Sequence, residues 1–172
     1  MEFTFETEYN QKALTIMARS LRKTIRKKKS RRSHIWGWII VVLAIILSLT
    51  GDEGIISVRS VVTWLVTIIL IVTLIWEDAI NGFVARKRML PGTEKSVGVF
   101  REEGYETTTD AGRTEWKYEK ILHLAETKDY FVFIFSKMHV QLQDKNSISG
   151  GTVEEFRAFI EKVTDKKVEQ IK

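Results

Sequence analysis

Three regimes of apolar spacing follow one another along the chain. Between residues 8 and 32, Leu14, Met17, Leu21 and Ile25 recur at steps of three, four and four, flanked by Arg19, Arg22, Lys23, Arg26 and Lys27 to Lys29. That is one apolar stripe on a helix of period 3.6 with cations beside it, so a basic amphipathic helix is predicted. The spacing then gives way to runs that are apolar all round. No charged residue occurs from Ser33 through Gly51, and a second run from Ile55 to Trp76 is interrupted only by Arg59. A helix rising about 1.5 Å per residue needs roughly 20 residues to cross a hydrocarbon core of ~30 Å, so each run is long enough to span. Arg59, one turn from the outer end, can snorkel to the headgroups. Between the runs, Thr50-Gly51-Asp52-Glu53-Gly54 is a short polar turn whose glycines suit a tight reversal, and a membrane α-helical hairpin results. Trp76, Ile80, Phe83 and Val84 hold helical spacing until Leu90-Pro91-Gly92 breaks it, so the second helix is expected to continue to about Arg88.

Beyond residue 92 the period falls to two. Segments 96 to 101, 105 to 109, 113 to 118, 121 to 126, 130 to 135 and 138 to 142 read as short strands separated by turn residues such as Glu103-Gly104, Asp110-Ala111-Gly112 and Lys128-Asp129. Val97, Val99, Trp116, Tyr118, Leu122, Leu124, Phe131, Phe133, Phe135, Val140 and Leu142 stand at alternate positions, as in a sheet with one buried face. After Ser149-Gly150-Gly151, the run Thr152-Val153-Glu154-Glu155 forms a capping box, and Phe156, Phe159, Ile160 and Val163 make one helical stripe. The expected fold class is therefore a membrane hairpin plus an α+β domain: an antiparallel meander closed by a C-terminal α-helix. The organisation is 1–33, basic arm; 34–88, hairpin (about 34–51 and 55–76) with a cytoplasmic extension; and 93–172, C-terminal domain.

Charge orients this arrangement. The chain carries 27 Lys and Arg against 22 Asp and Glu, a net charge of +5. Residues 1–33 contribute ten cations and three acids, 34–85 one and four, and 86–172 sixteen and fifteen. Basicity thus collects immediately before the first apolar run, where it points to a membrane surface. The cluster Arg19, Arg22, Lys23, Arg26, Lys27, Lys28, Lys29, Arg31 and Arg32 precedes the hairpin and Arg86, Lys87 and Arg88 follow it. By the positive-inside rule both termini are cytoplasmic, at a cell (inner or plasma) membrane. These twelve residues are the candidates for contact with anionic inner-leaflet lipids. Trp36, Trp38 and Trp76 would share the inner interface as aromatic anchors, while Trp64 lies nearer the outer side. Some thirty mostly polar residues precede the first apolar run, so it is expected to stay as an anchor. Base-stacking aromatics are not interleaved with the cations, so nucleic acid is not expected as a partner.

The layout resembles the YcxB-like family of small bacterial membrane proteins. The resemblance rests on Phe3-Thr4-Phe5 followed by Glu8-Tyr9, the hairpin, Phe100 to Gly104, Trp116-Lys117-Tyr118-Glu119-Lys120-Ile121, Tyr130-Phe131-Val132-Phe133, and the helix at Phe156. It implies that the C-terminal domain is a pleckstrin-homology-like barrel, of which six strands are legible where such a barrel has seven. Where the family tends to carry a Pro-Lys pair after its last strand, this chain has Asp144-Lys145.

Catalytic chemistry is not legible. Cysteine is absent, which removes disulfides, thiolate metal sites and a cysteine nucleophile. His34, His123 and His139 lie in no metal-spacing or triad-like motif, and no phosphate loop, HExxH pair or GxSxG elbow is present. No cofactor or metal is expected. The acidic pair Glu77-Asp78, beside a positive flank, is expected to pair locally with Arg86 or the basic arm. The function expected is a non-enzymatic interaction or regulatory module at the inner membrane face, with the bilayer and an unidentified protein as partners and self-association left open. The competing readings are an immunity protein against a secreted toxin or bacteriocin and an accessory subunit of a transporter or channel.

Overall fold

The structure, a computed structural model, describes residues 2–50 and 57–171. The turn expected at Gly51 to Gly54 and the side chain of Arg59 lie outside what is described. Strand β1 (Phe3–Glu8) opens the chain, followed by helices α1 (Gln11–Lys23), α2 (Lys27–Thr50), α3 (Val58–Ile75) and α4 (Glu77–Lys87). Strands β2 (Lys95–Arg101), β3 (Gly104–Thr109), β4 (Gly112–Trp116), β5 (His123–Glu126), β6 (Tyr130–Ile134) and β7 (Val140–Asp144) come next, then α5 (Val153–Thr164) and β8 (Val168–Gln170).

The strands form two four-stranded sheets, in the orders β1-β2-β3-β4 and β7-β6-β5-β8, rather than the closed barrel expected. All neighbours are antiparallel except β5 and β8. On one side the sheets meet through a Thr4–Ser149 bridge, the Glu6 amide donating to Ser147 Oγ at 2.9 Å and the Asp144 amide donating to Thr7 Oγ1 at 3.0 Å. On the other, the single turn Tyr118–Lys120 carries the chain from β4 to β5, where a strand was expected to run through 118. The two strands not read from the sequence are β1, registered Phe3 to Phe100 and Glu8 to Lys95, and β8. The folded body thus takes in the first residues of the chain as well as its C-terminal half.

A phenylalanine cluster fills the space between the sheets and α5. Phe156 contacts Phe3, Phe5, Phe100 and Phe131 edge-on, with ring centroids 4.6–5.2 Å apart, the geometry that aromatic quadrupoles favour. The capping box forms as read: Thr152 N donates to Glu155 Oε2 at 2.7 Å and Glu155 N to Thr152 Oγ1 at 3.2 Å. The expectation of one buried face fails for the second sheet. Val132, Ile134, Val140 and Leu142 on its other face pack with Ala13 and Leu21 of α1, so all of β6 is buried. A strand covered on both faces reads as a continuous apolar run, and Tyr130-Phe131-Val132-Phe133-Ile134 is one.

Among the described residues, α2 is the helix that by itself is long and apolar enough to cross a membrane, and its most apolar window is only 6% buried. It is also the first place where the basic arm departs from expectation. The amphipathic helix ends at Lys23, and Lys27 to Arg32 are the opening turns of α2, continuous with its apolar stretch. Helix α3 lies against α2, with Gly37 allowing the approach: a Cβ there would stand 2.7 Å from Leu74 Cδ2, a small-residue contact typical of packed apolar helices. The expected straight continuation to Arg88 is overturned, because α3 and α4 meet at Trp76 with a bend of 82°. No proline causes it. Glu77 and Asp78 instead start a new helix, where the N-terminal dipole favours acids, and α1 holds them there.

Candidate functional site

The charged junction beside the bend is built from three helices. Arg22, in the last turn of α1, grips Asp78 with both arms: Nε donates to Oδ1 at 2.7 Å and Nη2 to Oδ2 at 2.6 Å. Such a planar, bidentate pair is the strong form of an ion pair, and it holds the Arg22 pKa above its ordinary value. Arg19 Nε lies 3.5 Å from Asp78 and Arg22 Nε 3.8 Å from Glu77. From α2, His34 Nε2 stands 3.3 Å from the Leu74 carbonyl and 3.4 Å from Glu77 Oε2. The acids therefore pair with the basic arm, as one of the two expected partners. On the same side α1 meets α4 closely: a Cβ on Gly82 would lie 2.8 Å from Thr15 N and Oγ1.

Of the residues predicted to meet anionic lipid, Arg19 and Arg22 are thus turned to protein carboxylates. Arg26 is exposed and Nη2 donates to the Lys137 carbonyl at 2.5 Å. Lys27, Lys28, Lys29, Arg31 and Arg32 are exposed along the first turns of α2, and Arg86, Lys87 and Arg88 at the end of α4. Lys23 is half-buried and, with Lys27, Ser30, Arg31 and His34, lines an open cleft of about 540 Å³ closed by Glu169, Gln170 and Ile171. Trp36, Trp38 and Trp76 are exposed at the same end of the helices.

A second concavity, of about 520 Å³, lies where α1 and the end of α4 meet the first sheet. Leu14, Met17, Met89, Leu90, Met138 and Val140 give it an apolar wall, and Ser96, Thr107, Thr109, Thr114 and Trp116 a polar floor. None of its lining residues is Asp, Glu, Lys or Arg. His139, which packs on Trp116 at a centroid distance of 4.9 Å, has its pKa lowered by partial burial. Ser96 Oγ, Thr107 Oγ1 and Trp116 Nε1 are buried on this floor without a hydrogen-bond partner. Unpaired buried polar atoms cost roughly 1–3 kcal/mol each, so this floor carries a local polar cost. Nothing in the sequence singles out Ser96 and Thr107, which occupy ordinary strand positions.

Glu126 is a third charged centre, 2% exposed. Arg157 Nε and Nη2 donate to it at 2.7 and 2.8 Å, Gln170 Nε2 at 2.8 Å, and Lys145 Nζ also donates. Burial pushes its carboxyl pKa up, but these donors outweigh that and hold it at about 2. The corner Asp144-Lys145 thus supplies a structural cation. Among the described residues no group of three or more His, Asp or Glu could hold a metal ion.

Sheets, helices and grooves together define an α+β domain clamped by α1 to apolar helices, at least one of membrane-spanning length. The family model described as YcxB-like protein matches residues 100–160, from the Phe100 position of β2 to Ile160 of α5, and bears out the family read from the sequence over that stretch. No curated protein matches the chain.

Proposed function

We propose that the chain is a non-enzymatic bacterial membrane protein. In this reading α2 and α3 cross the inner membrane as a hairpin, both termini are cytoplasmic, and the sheet domain is a pleckstrin-homology-like interaction module held at the membrane face. The observation that carries the reading is the uncharged groove with Ser96 Oγ, Thr107 Oγ1 and Trp116 Nε1 unpaired on its floor. Apolar walls with a few convergent polar groups are the ordinary composition of a binding site. With no Asp, Glu, Lys or Arg among its lining residues, the groove suits recognition of an uncharged segment. Its occupant is an uncharged segment of a partner protein, which would bury the aliphatic wall.

A photo-crosslinking residue at the exposed Met138 position, in the full chain in its native membrane, tests this. A discrete protein adduct is expected that disappears when Thr109→Phe fills the groove. An adduct indifferent to Thr109→Phe, or none at all, would overturn the reading.

A further inference from the structure

We infer that α4 is an in-plane interfacial helix whose outer face is seated in the headgroup region of the inner leaflet, fixing the height of the sheet domain above the bilayer. This rests on the reading that α2 and α3 cross the membrane.

The two faces of α4 differ sharply. Asp78, Gly82 and Ala85, at spacings of four and three, are turned to α1: Asp78 is gripped by Arg22, Gly82 abuts the Thr15 backbone, and Ala85 shares the groove wall with Leu14 and Met17. At 100° per residue the opposite face carries Ile80, Phe83 and Val84, with Lys87 at its C-terminal end, and Trp76 stands at the cap before it. The four apolar residues are exposed, Phe83 by 51%. An exposed aromatic and aliphatic stripe on a helix otherwise packed against protein requires a cover.

Its occupant follows from continuity and charge. Spanning helices tilt by about 20° on average, so the 82° bend at Trp76 lays α4 close to the membrane plane directly after α3 leaves the bilayer. Helix α1 occupies the side of α4 toward the sheets, which leaves the stripe facing lipid. Arg86, Lys87 and Arg88 follow at the end of the helix, and Lys87 Nζ stands 4.8 Å above the Phe83 ring, as a snorkelling lysine does beside a buried aromatic. An apolar face inserted about 5–10 Å with cations at its border is the arrangement of interfacial helices on anionic membranes. The layers are then lipid, α4, α1 and the second sheet.

The chain is free of cysteine, so single cysteines can be labelled with nitroxides without disturbing it. Full-length Leu65→Cys, Phe83→Cys and Glu115→Cys would each be reconstituted in vesicles of phosphatidylethanolamine and phosphatidylglycerol, and their accessibility to oxygen and to a water-soluble nickel chelate compared. The oxygen-to-nickel ratio at Phe83 is expected several-fold above that at Glu115 and below that at Leu65. A ratio at Phe83 equal to that at Glu115, with Leu65 in lipid, would overturn this inference alone. An aqueous Leu65 would overturn the spanning reading and this inference with it. Spin–spin broadening at Phe83 that vanishes on dilution with unlabelled chain would show a second copy on the stripe and overturn the lipid assignment.

Discussion

Glu126 shows how one buried charge ties distant parts of the chain together. Its partners Lys145, Arg157 and Gln170 come from the end of β7, α5 and β8, so the carboxylate links three elements of the C-terminal body. Its pKa is held at about 2 against an ordinary 4.5, which means the folded state binds its proton less readily than the unfolded chain does. The contribution is therefore complete above pH 4.5 and is lost as pH falls toward 2, on the order of 3 kcal/mol over that interval. Thermal unfolding of the full chain followed by circular dichroism should show this acid-side loss. Glu126→Gln should be destabilised at neutral pH by about 3–5 kcal/mol, because two cations lose their counter-charge, and should lack the step between pH 4.5 and 2. Retention of the step in the variant would assign it to another group. The sequence holds a clue to this residue: Glu126 stands two positions from Leu124 in the same strand, and a carboxylate at a core position demands partners. Which partners could not be read, because they stand 19, 31 and 44 residues away.

Long elements with a strong period were legible and short or tertiary ones were not. The capping box at Thr152 and the stripe Phe156, Phe159 and Ile160 locate α5 because every signal is local. The apolar stretch of α2 is equally plain. Strand β8 has three residues and pairs parallel to β5, with no periodicity to betray it, and β1 is separated from β2 by the whole helical region. The bend at Trp76 escaped because Trp76, Ile80, Phe83 and Val84 keep helical spacing through it. What changes there is the neighbour, as α1 docks through Arg22 and Thr15. Gly82→Ala tests that docking. Helix propensity favours alanine by about 1 kcal/mol, but the new Cβ meets Thr15 N at 2.8 Å, and overpacking of this kind costs about 1–3 kcal/mol. Faster hydrogen exchange of the α1 amides is expected, with those of α5 unchanged. Unchanged exchange in α1 would mean that α4 does not hold it.

At the scale of the whole molecule, the first residues and the C-terminal half fold as one body, with the apolar helices leaving it after α1 and returning through α4. Basic arm, bend and groove all lie on the side where those helices enter. A partner in the groove would touch α1 and the end of α4 directly, so binding and membrane attachment share the same two helices. The cations of the arm are legible in composition alone. The groove could not be foretold, because its polar floor comes from three strands and its wall from two helices and the β6–β7 turn. The central claim is that this body sits on the cytoplasmic side of a membrane that α2 and α3 cross. Single cysteines at Ser57, the N-cap of α3, and at Glu154, in the first turn of α5, can be exposed in intact cells to a membrane-impermeant maleimide. Labelling at Ser57→Cys, with Glu154→Cys protected until the membrane is opened, is the expected result; labelling of Glu154→Cys in intact cells would contradict the account.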